Sequence, residues 1–286
     1  MLTFLDELES EAIHVIRETA AHFKRPVILF SGGKDSIVLT HLVRKAFYPS
    51  QLLFPLLHVD TGYNFPETIK YRDDFVRDLS AKLYVARFDD AIAGSRNSAQ
   101  SAVLRDALKE HKFDAALGGG RRDEEKARAK ERFFSHRDAS GAWNPDSQRP
   151  EVWRLVNSFC ANDEHFRVFP ISNWTELDVW QYIDQEKIQL PDLYFAADRP
   201  CVHRDGNLLV HAPVISLNDG ESLEMKRVRF RTIGDATCTG AVESNASTVA
   251  EIIIELELST QSERGSRVDD QLSAVAMEER KRAGYF

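Results

Sequence analysis

Two rhythms of apolar residues alternate along the first 120 positions. Short apolar runs at 27–30 and 56–59, with further ones at 82–87 and 115–117, have the length of buried strands. Between them apolar positions recur at helical spacing. Leu5, Leu8, Ala12, Val15, Ala20 and Phe23 lie on one face behind a Thr3/Asp6 capping box, and Leu39, Leu42, Val43 and Ala46 follow the first strand. Asn64, Pro66 and Glu67 open a third helix that runs to about Leu79, and a fourth spans 98–110. Strands alternating with helices predict an α/β fold, an open, mainly parallel twisted sheet with helices on both faces. The run 167–171 supplies a last core strand, and Thr175 with Asp178 caps a helix through Val179, Trp180 and Ile183. Trp174 and Trp180 at this spacing read as core, although either ring can stack on a base.

The pattern changes after about position 195. Asp205-Gly206 between apolar runs signals a hairpin, 228–232 reads as a strand, and Thr248 with Glu251 caps a helix through Ile254. The expected division is a catalytic domain over 1–195 and a C-terminal α+β extension over 196–286, read as a partner-binding lobe or as a cover over the sheet.

Ligands of open parallel sheets bind at the carboxyl ends of the strands. Three such ends carry candidate chemistry. The first strand runs into Ser-Gly-Gly-Lys-Asp-Ser at 31–36. Gly32 and Gly33 leave room for an oxyanion against the backbone amides, Ser31 and Ser36 add hydroxyls, and Lys34 adds a mobile positive charge. This is not a Walker loop, because Asp35 stands where that pattern needs Ser or Thr. An acidic residue in a phosphate loop is tolerable where it binds a bridging Mg²⁺ or caps the loop's own amides. A Gly-Gly turn alone reads as well as a plain strand-to-helix turn with serine caps. The second end, Asp60-Thr61-Gly62, lies where an adenosine can meet backbone groups. The third, Gly118-Gly119-Gly120 followed by Arg121 and Arg122, brings guanidinium groups toward a reacting phosphate.

From 121 to 137 the chain carries seven basic and four acidic residues, and the 124/128 spacing suggests a helix held by i,i+4 pairs. Arg121, Arg122 and Arg128 are candidates for anion binding, and Asp123 joins Asp35 as a candidate metal ligand. Aromatic residues are not interleaved with the basic ones, which argues against nucleic acid.

Composition narrows the class further. A net charge of −8 over 286 residues argues against a general nucleic-acid or membrane-surface binder and leaves room for local basic patches. No apolar stretch reaches spanning length and no basic leader precedes an apolar run, so a soluble cytoplasmic protein is expected. Cys160, Cys201 and Cys238 are too far apart for a metal or redox pair and are expected to be reduced, buried thiols, with no redox cofactor.

The loop at 31–36 resembles the signature of the PP-loop ATP pyrophosphatases, which cleave ATP between the α- and β-phosphates and adenylate an acceptor. That resemblance implies an adenine nucleotide alpha hydrolase-like fold and a role for residues 31–36 in holding the leaving pyrophosphate. Further blocks resemble the small catalytic subunits of bacterial heterodimeric sulfate adenylyltransferase, the ATP sulfurylase family. They are His-Val-Asp-Thr-Gly at 58–62, the charged block at 119–132, Val-Phe-Pro-Ile-Ser-Asn-Trp-Thr-Glu at 168–176, Tyr-Phe-Ala-Ala-Asp-Arg-Pro at 194–200, Thr-Gly-Ala-Val-Glu-Ser at 239–244 and the terminal Gly-Tyr-Phe. The family implies adenosine 5′-phosphosulfate and pyrophosphate from ATP and sulfate, Mg²⁺ with ATP, and a larger GTPase subunit as partner. The ATP site so implied comprises Ser31, Gly32, Gly33, Lys34, Asp35, Ser36, Asp60, Thr61, Gly118 and Gly119. Lys34, Asp35, Arg121, Arg122 and Arg128 are the expected catalytic groups. The chain departs from the family pattern at 235–238 and within 201–212, which is expected to affect the partner surface rather than the ATP site.

Three rivals remain. A phosphoadenylyl-sulfate reductase on the same scaffold needs a nucleophilic cysteine in a Glu-Cys-Gly-Leu-His context, whereas Cys238 sits in Ala-Thr-Cys-Thr-Gly. A tRNA thiolation enzyme calls for paired cysteines and a basic surface. A non-catalytic nucleotide-binding subunit that regulates a GTPase is separated from the enzyme by turnover with sulfate.

Overall fold

The structure, a computed structural model, describes residues 3–88, 96–124 (backbone alone over 96–99), 132–144, 146, 148, 151, 156, 158–161 and 163–258. The helix expected behind the Thr3/Asp6 capping box is α1 (Phe4–His22). Thr3 accepts from the Asp6 amide and Asp6 from the Thr3 amide, and Leu8, Ala12, Val15 and Ile16 point inward. There follow β1 (Pro26–Leu29), α2 (Lys34–Ala46), β2 (Leu56–Asp60), α3 (Pro66–Asp78), β3 (Leu83–Arg87), α4 (Arg96–Glu110) and β4 (Ala115–Leu117). The strands β5 (Phe134–Arg137) and β6 (His165–Val168) and the helix α5 (Glu176–Glu186) complete the first layer structure.

The sheet order is β3-β2-β1-β4-β6-β5, parallel throughout except that β5 runs antiparallel to β6. Alternation along the strands divides the core. Ile28, Leu56, Ala115, Leu117 and Val168 face α1, α2 and α5 in the main cluster, while Val27, Leu57 and Ala116 face Ala107, Leu108 and Phe113 on the other side. Trp174 and Trp180 are fully buried in the main cluster, as expected for core aromatics. The chain leaves β1 for β2 and β3 on one side and returns to β4 on the other. The order therefore reverses beside β1, and a crevice opens at the carboxyl ends of β1 and β4.

One expected element takes another form. Instead of a helix over 121–137, the described residues form a short 3-10 turn (Arg122–Glu124) and then β5. Phe134 packs against Phe23 with ring centroids 6.2 Å apart, and the Phe133 and Phe134 amides donate to the Glu151 carboxylate at 2.8 and 2.7 Å. Edge pairing and aromatic burial override the i,i+4 charge pattern, because surface ion pairs contribute only about 0.3–0.5 kcal/mol each. Residues 125–131, including Arg128, lie outside the described residues.

The C-terminal part forms a second, antiparallel sheet in the order β10-β9-β7-β8, from β7 (Ala197–Arg204), β8 (Asn207–Val210), β9 (Glu224–Arg229) and β10 (Val242–Glu243). The β7–β8 turn places Asp205 at φ 50° and Gly206 at φ 76°, the left-handed pair that a tight hairpin requires. The strand expected at 228–232 begins earlier, at Glu224, and ends at Arg229, because the Phe230 amide turns away to the Leu193 carbonyl at 2.9 Å. Helix α6 (Val249–Leu258) starts at the expected Thr248/Glu251 cap. Val228, Phe230, Ile233 and Ile252 belong to the same core cluster as Ile16, Leu39 and Trp180, so this part packs onto the α1/α2/α5 face. Only Cys201 of the three free cysteines is buried; Cys160 and Cys238 are half-buried. Among the described residues no helix is long and apolar enough to cross a membrane.

Candidate active site at the carboxyl edge of the sheet

The loop after β1 is held open by its own side chains. Gly32 adopts φ +78°, and a Cβ there would lie 2.9 Å from Thr68 Cγ2, so the position needs glycine on two counts. Gly33 is the N-cap of α2 and makes no side-chain cap bond, while its amide donates to Ser31 Oγ at 3.2 Å. Ser36 Oγ donates to the Gly33 carbonyl at 2.8 Å. Both serines thus brace the turn, and the first turn of α2 presents a helix N-terminus to the crevice.

Lys34 sits differently from a mobile surface charge. Its side chain is fully buried, its backbone amide donates to Tyr194 Oη at 2.7 Å, and Nζ lies 3.2 Å from Asp35 Oδ2 and 3.3 Å from the Arg231 carbonyl. Asp35 stands between two buried cations, since its Oδ1 accepts from Arg121 Nε at 2.9 Å. Asp35 is therefore the counter-ion of Lys34 and Arg121. The strand end at β4 fits against it: a Cβ on Gly119 would lie 2.9 Å from Asp35 Cβ and 3.0 Å from its carbonyl carbon. Gly118 donates its amide to Val168 at 2.8 Å and keeps β4 in register beside β6. Gly119→Ala is expected to push the loop off β4, lowering stability by about 1–3 kcal/mol as overpacking does. Thermal melting in parallel with turnover checks this, and a wild-type melting point with wild-type rate would contradict it.

Beyond Gly120 the three arginine candidates diverge. Arg121 is buried, with Nη1 3.7 Å from Asp123 Oδ2 and Nε 3.9 Å from Glu124 Oε1. Arg122 is half-buried, donates Nη1 to Asn173 Oδ1 and lies 5.2 Å over the Phe133 ring. Arg128 falls outside the described residues. Asp123 is half exposed and accepts from the Glu176 amide at the start of α5 at 3.3 Å.

At the end of β2, Asp60 Oδ1 accepts from the Gly62 amide at 3.0 Å, an Asx turn that shapes the strand end. Thr61 Oγ1 donates to Asp235 Oδ1 at 2.5 Å. His58, one residue pair back, is held below the ordinary histidine range by burial. The neutral ring donates Nδ1–H to the Phe30 carbonyl at 2.9 Å and accepts at Nε2 from the Asn64 side-chain Nδ2 at 3.2 Å, which fixes the last residue before the loop.

Four residues of this region carry no sequence signal at ligand spacing: Glu176, Tyr194, Arg231 and Asp235. Glu176 and Tyr194 stand at the edges of blocks that resemble the sulfurylase family, and Asp235 opens the tract that departs from it. That tract lies against Thr61 and Tyr63 at the end of β2, beside the candidate site rather than on a remote surface.

A metal that entered with a nucleotide would find few free protein oxygens here. Among the described residues no group of three or more metal-ligating side chains occurs. Both Asp35 oxygens face cations, and Asp123 keeps exposed carboxylate surface. The donor set fits a Mg²⁺ ion carried mainly by phosphate oxygens and water, with Asp123 as the carboxylate open to it.

Known proteins resemble this chain in sequence and in fold. The sequence profile of the phosphoadenosine phosphosulfate reductase domain matches residues 25–241. Sulfate adenylyltransferase subunit 2 of Streptomyces lavendulae is 55% identical over the whole of this chain and 92% of its own length. The protein of the same name from Mycolicibacterium gilvum is 54% identical over the whole chain and 95% of its own. Among solved structures, Candida glabrata FMN adenylyltransferase in complex with ATP superposes with a TM-score of 0.52 at 13% identity, over 92% of this chain and 87% of that one. At that identity the likeness shows the fold.

Proposed function

We infer the activity from family membership together with the site: the chain belongs to the sulfate adenylyltransferase subunit 2 family, and it transfers the AMP moiety of ATP to sulfate. Adenosine 5′-phosphosulfate and pyrophosphate are the products. The observation that carries the assignment of residues is the meeting of two strand ends, the 31–36 loop after β1 and Gly119-Arg121 after β4, through the Asp35 carboxylate.

Sulfate at neutral pH has no proton to give up, so the reaction needs positioning and charge stabilisation rather than a general base. In this reading the Gly32–Gly33 turn and the α2 N-terminus hold the β- and γ-phosphates, and Lys34 balances charge that moves onto the leaving pyrophosphate. Arg121 and Arg122 offset the repulsion between sulfate and the α-phosphate. Asp60 and Thr61 shape the adenosine side of the crevice. Mg²⁺, when bound with ATP, supplies further neutralisation of the phosphates.

Arg122, half-buried at the 3-10 turn where it meets Asn173 and the Phe133 ring, is the arginine we assign to the incoming anion. Arg122→Ala is expected to raise KM for sulfate about tenfold or more, the worth of a charge-assisted hydrogen bond, with a smaller change for ATP. Unchanged sulfate kinetics would leave Arg122 with the structural role of fastening the 3-10 turn to Asn173.

Forming a phosphosulfate anhydride from ATP and sulfate is uphill, and a site that stabilises the transition state cannot move the equilibrium. The chain has one nucleotide loop and no Walker motif for a second nucleotide. Coupling to a larger GTPase subunit supplies the missing driving force, with the C-terminal extension over 196–286 as its docking region. Exposed Leu217, Leu223 and Met225 in that extension support the placement. The test of the reading is sulfate-dependent release of pyrophosphate from ATP, followed with and without the GTPase subunit and GTP. Release that ignores sulfate contradicts adenylyl transfer. Net product independent of the subunit and GTP, with pyrophosphatase absent, contradicts the coupling.

A further inference from the structure

A closed circuit of six charged residues ties the nucleotide loop to the exit of β9, and we propose that the buried Arg231–Glu176 pair within it is a positioning device for Lys34. The circuit is continuous. Lys34 Nζ meets Asp35 at 3.2 Å, Asp35 meets Arg121 at 2.9 Å, and Arg121 meets Asp123 at 3.7 Å. Asp123 accepts from the Glu176 amide at 3.3 Å, and the Glu176 carboxylate takes Arg231 Nη2 at 2.5 Å and Nε at 3.4 Å. The Arg231 carbonyl then returns to Lys34 Nζ at 3.3 Å. Three cations and three carboxylates leave the circuit neutral.

Each half of the Arg231–Glu176 pair touches a different end of the site. Glu176 stands at the first turn of α5, where Asp123 reaches its amide. Arg231 lies two residues past β9, in a segment whose Phe230 amide bonds to Leu193 beside Tyr194, the residue that holds the Lys34 amide. Both side chains of the pair are about nine-tenths buried. A two-point guanidinium–carboxylate contact fixes orientation as well as distance. A buried pair of this kind gives little net stability, because desolvation offsets the attraction. What it does fix is the position of the Arg231 carbonyl, and with it one partner of the Lys34 ammonium. A lysine has four flexible side-chain bonds, so its charge aids a transition state only where neighbours hold it in place.

The inference rests on the pyrophosphate role of Lys34 in the proposed function. Its test uses the full chain, assayed in the forward direction and in reverse, from adenosine phosphosulfate and pyrophosphate. Arg231→Met and Glu176→Gln are expected to raise KM for pyrophosphate in the reverse direction about tenfold, with KM for sulfate in the forward direction unchanged. Arg231→Lys is expected to recover part of the loss. The double variant Arg231→Met/Glu176→Leu removes both charges without stranding either, so it decides the matter if a single variant melts early. Calorimetric titration with pyrophosphate reads the same weakening without turnover. Folded variants with wild-type pyrophosphate affinity would overturn the positioning role, as would an equal loss in every kinetic parameter. A wild-type chain that forms no product while its pyrophosphate affinity still depends on Arg231 would instead overturn the proposed reaction.

Discussion

Lys34→Ala is expected to lower the rate of adenylyl transfer by about 10²–10³-fold, the cost of removing one preorganised donor from a site where charge develops. The ammonium is buried and already directed by Asp35 and the Arg231 carbonyl, so it costs no reorganisation when the pyrophosphate leaves. Its loss should fall on kcat at saturating ATP, because the loop amides and the α2 N-terminus still bind ATP, whose pyrophosphate end has not yet gained the charge that Lys34 balances. The fold should survive, since Asp35 keeps Arg121 as partner. A folded variant with near-normal turnover would refute the pyrophosphate assignment of the loop.

Asp35→Ala is expected to cost both rate and stability. Removing the carboxylate takes away the counter-ion that stands between two fully buried cations, Lys34 and Arg121, and leaves Arg121 with the more distant Asp123 and Glu124 at 3.7 and 3.9 Å. Stranding a buried charge costs about 3–5 kcal/mol, and the 23% exposure of Asp35 places this case toward the lower end. The same vacancy makes the variant an anion trap, so pyrophosphate should raise its melting temperature more than that of the wild type. Differential scanning calorimetry with and without pyrophosphate checks both statements. A variant that melts like the wild type would show that Asp35 does not neutralise the two cations.

The parallel sheet was readable because its strands are short apolar runs separated by stretches of helical spacing, and the helices before the first and after the last parallel strand carry capping boxes, Thr3/Asp6 and Thr175/Asp178, in both sequence and structure. The charged stretch after Arg121 misled for a physical reason. Its pattern fits a solvated helix, but Phe134 and the Glu151 carboxylate draw its end into an edge strand, a tertiary effect invisible to local spacing. The loop at 31–36 announced itself through glycines and polar residues after a buried strand. The burial of Lys34 did not, since it depends on Tyr194 and Arg231, about 160 and 197 residues away along the chain. Asp235 was hidden for the same reason: only the folded chain brings it to Thr61.

The most direct measurement incubates the chain with ATP labelled at the α-phosphate, Mg²⁺, sulfate and pyrophosphatase, with and without a GTPase subunit and GTP, and separates the labelled products. The account predicts label in adenosine 5′-phosphosulfate, strictly dependent on sulfate, lost in Lys34→Ala and raised by the GTPase with GTP. Label that remains in ATP under every condition, or that appears as AMP without sulfate, would contradict it.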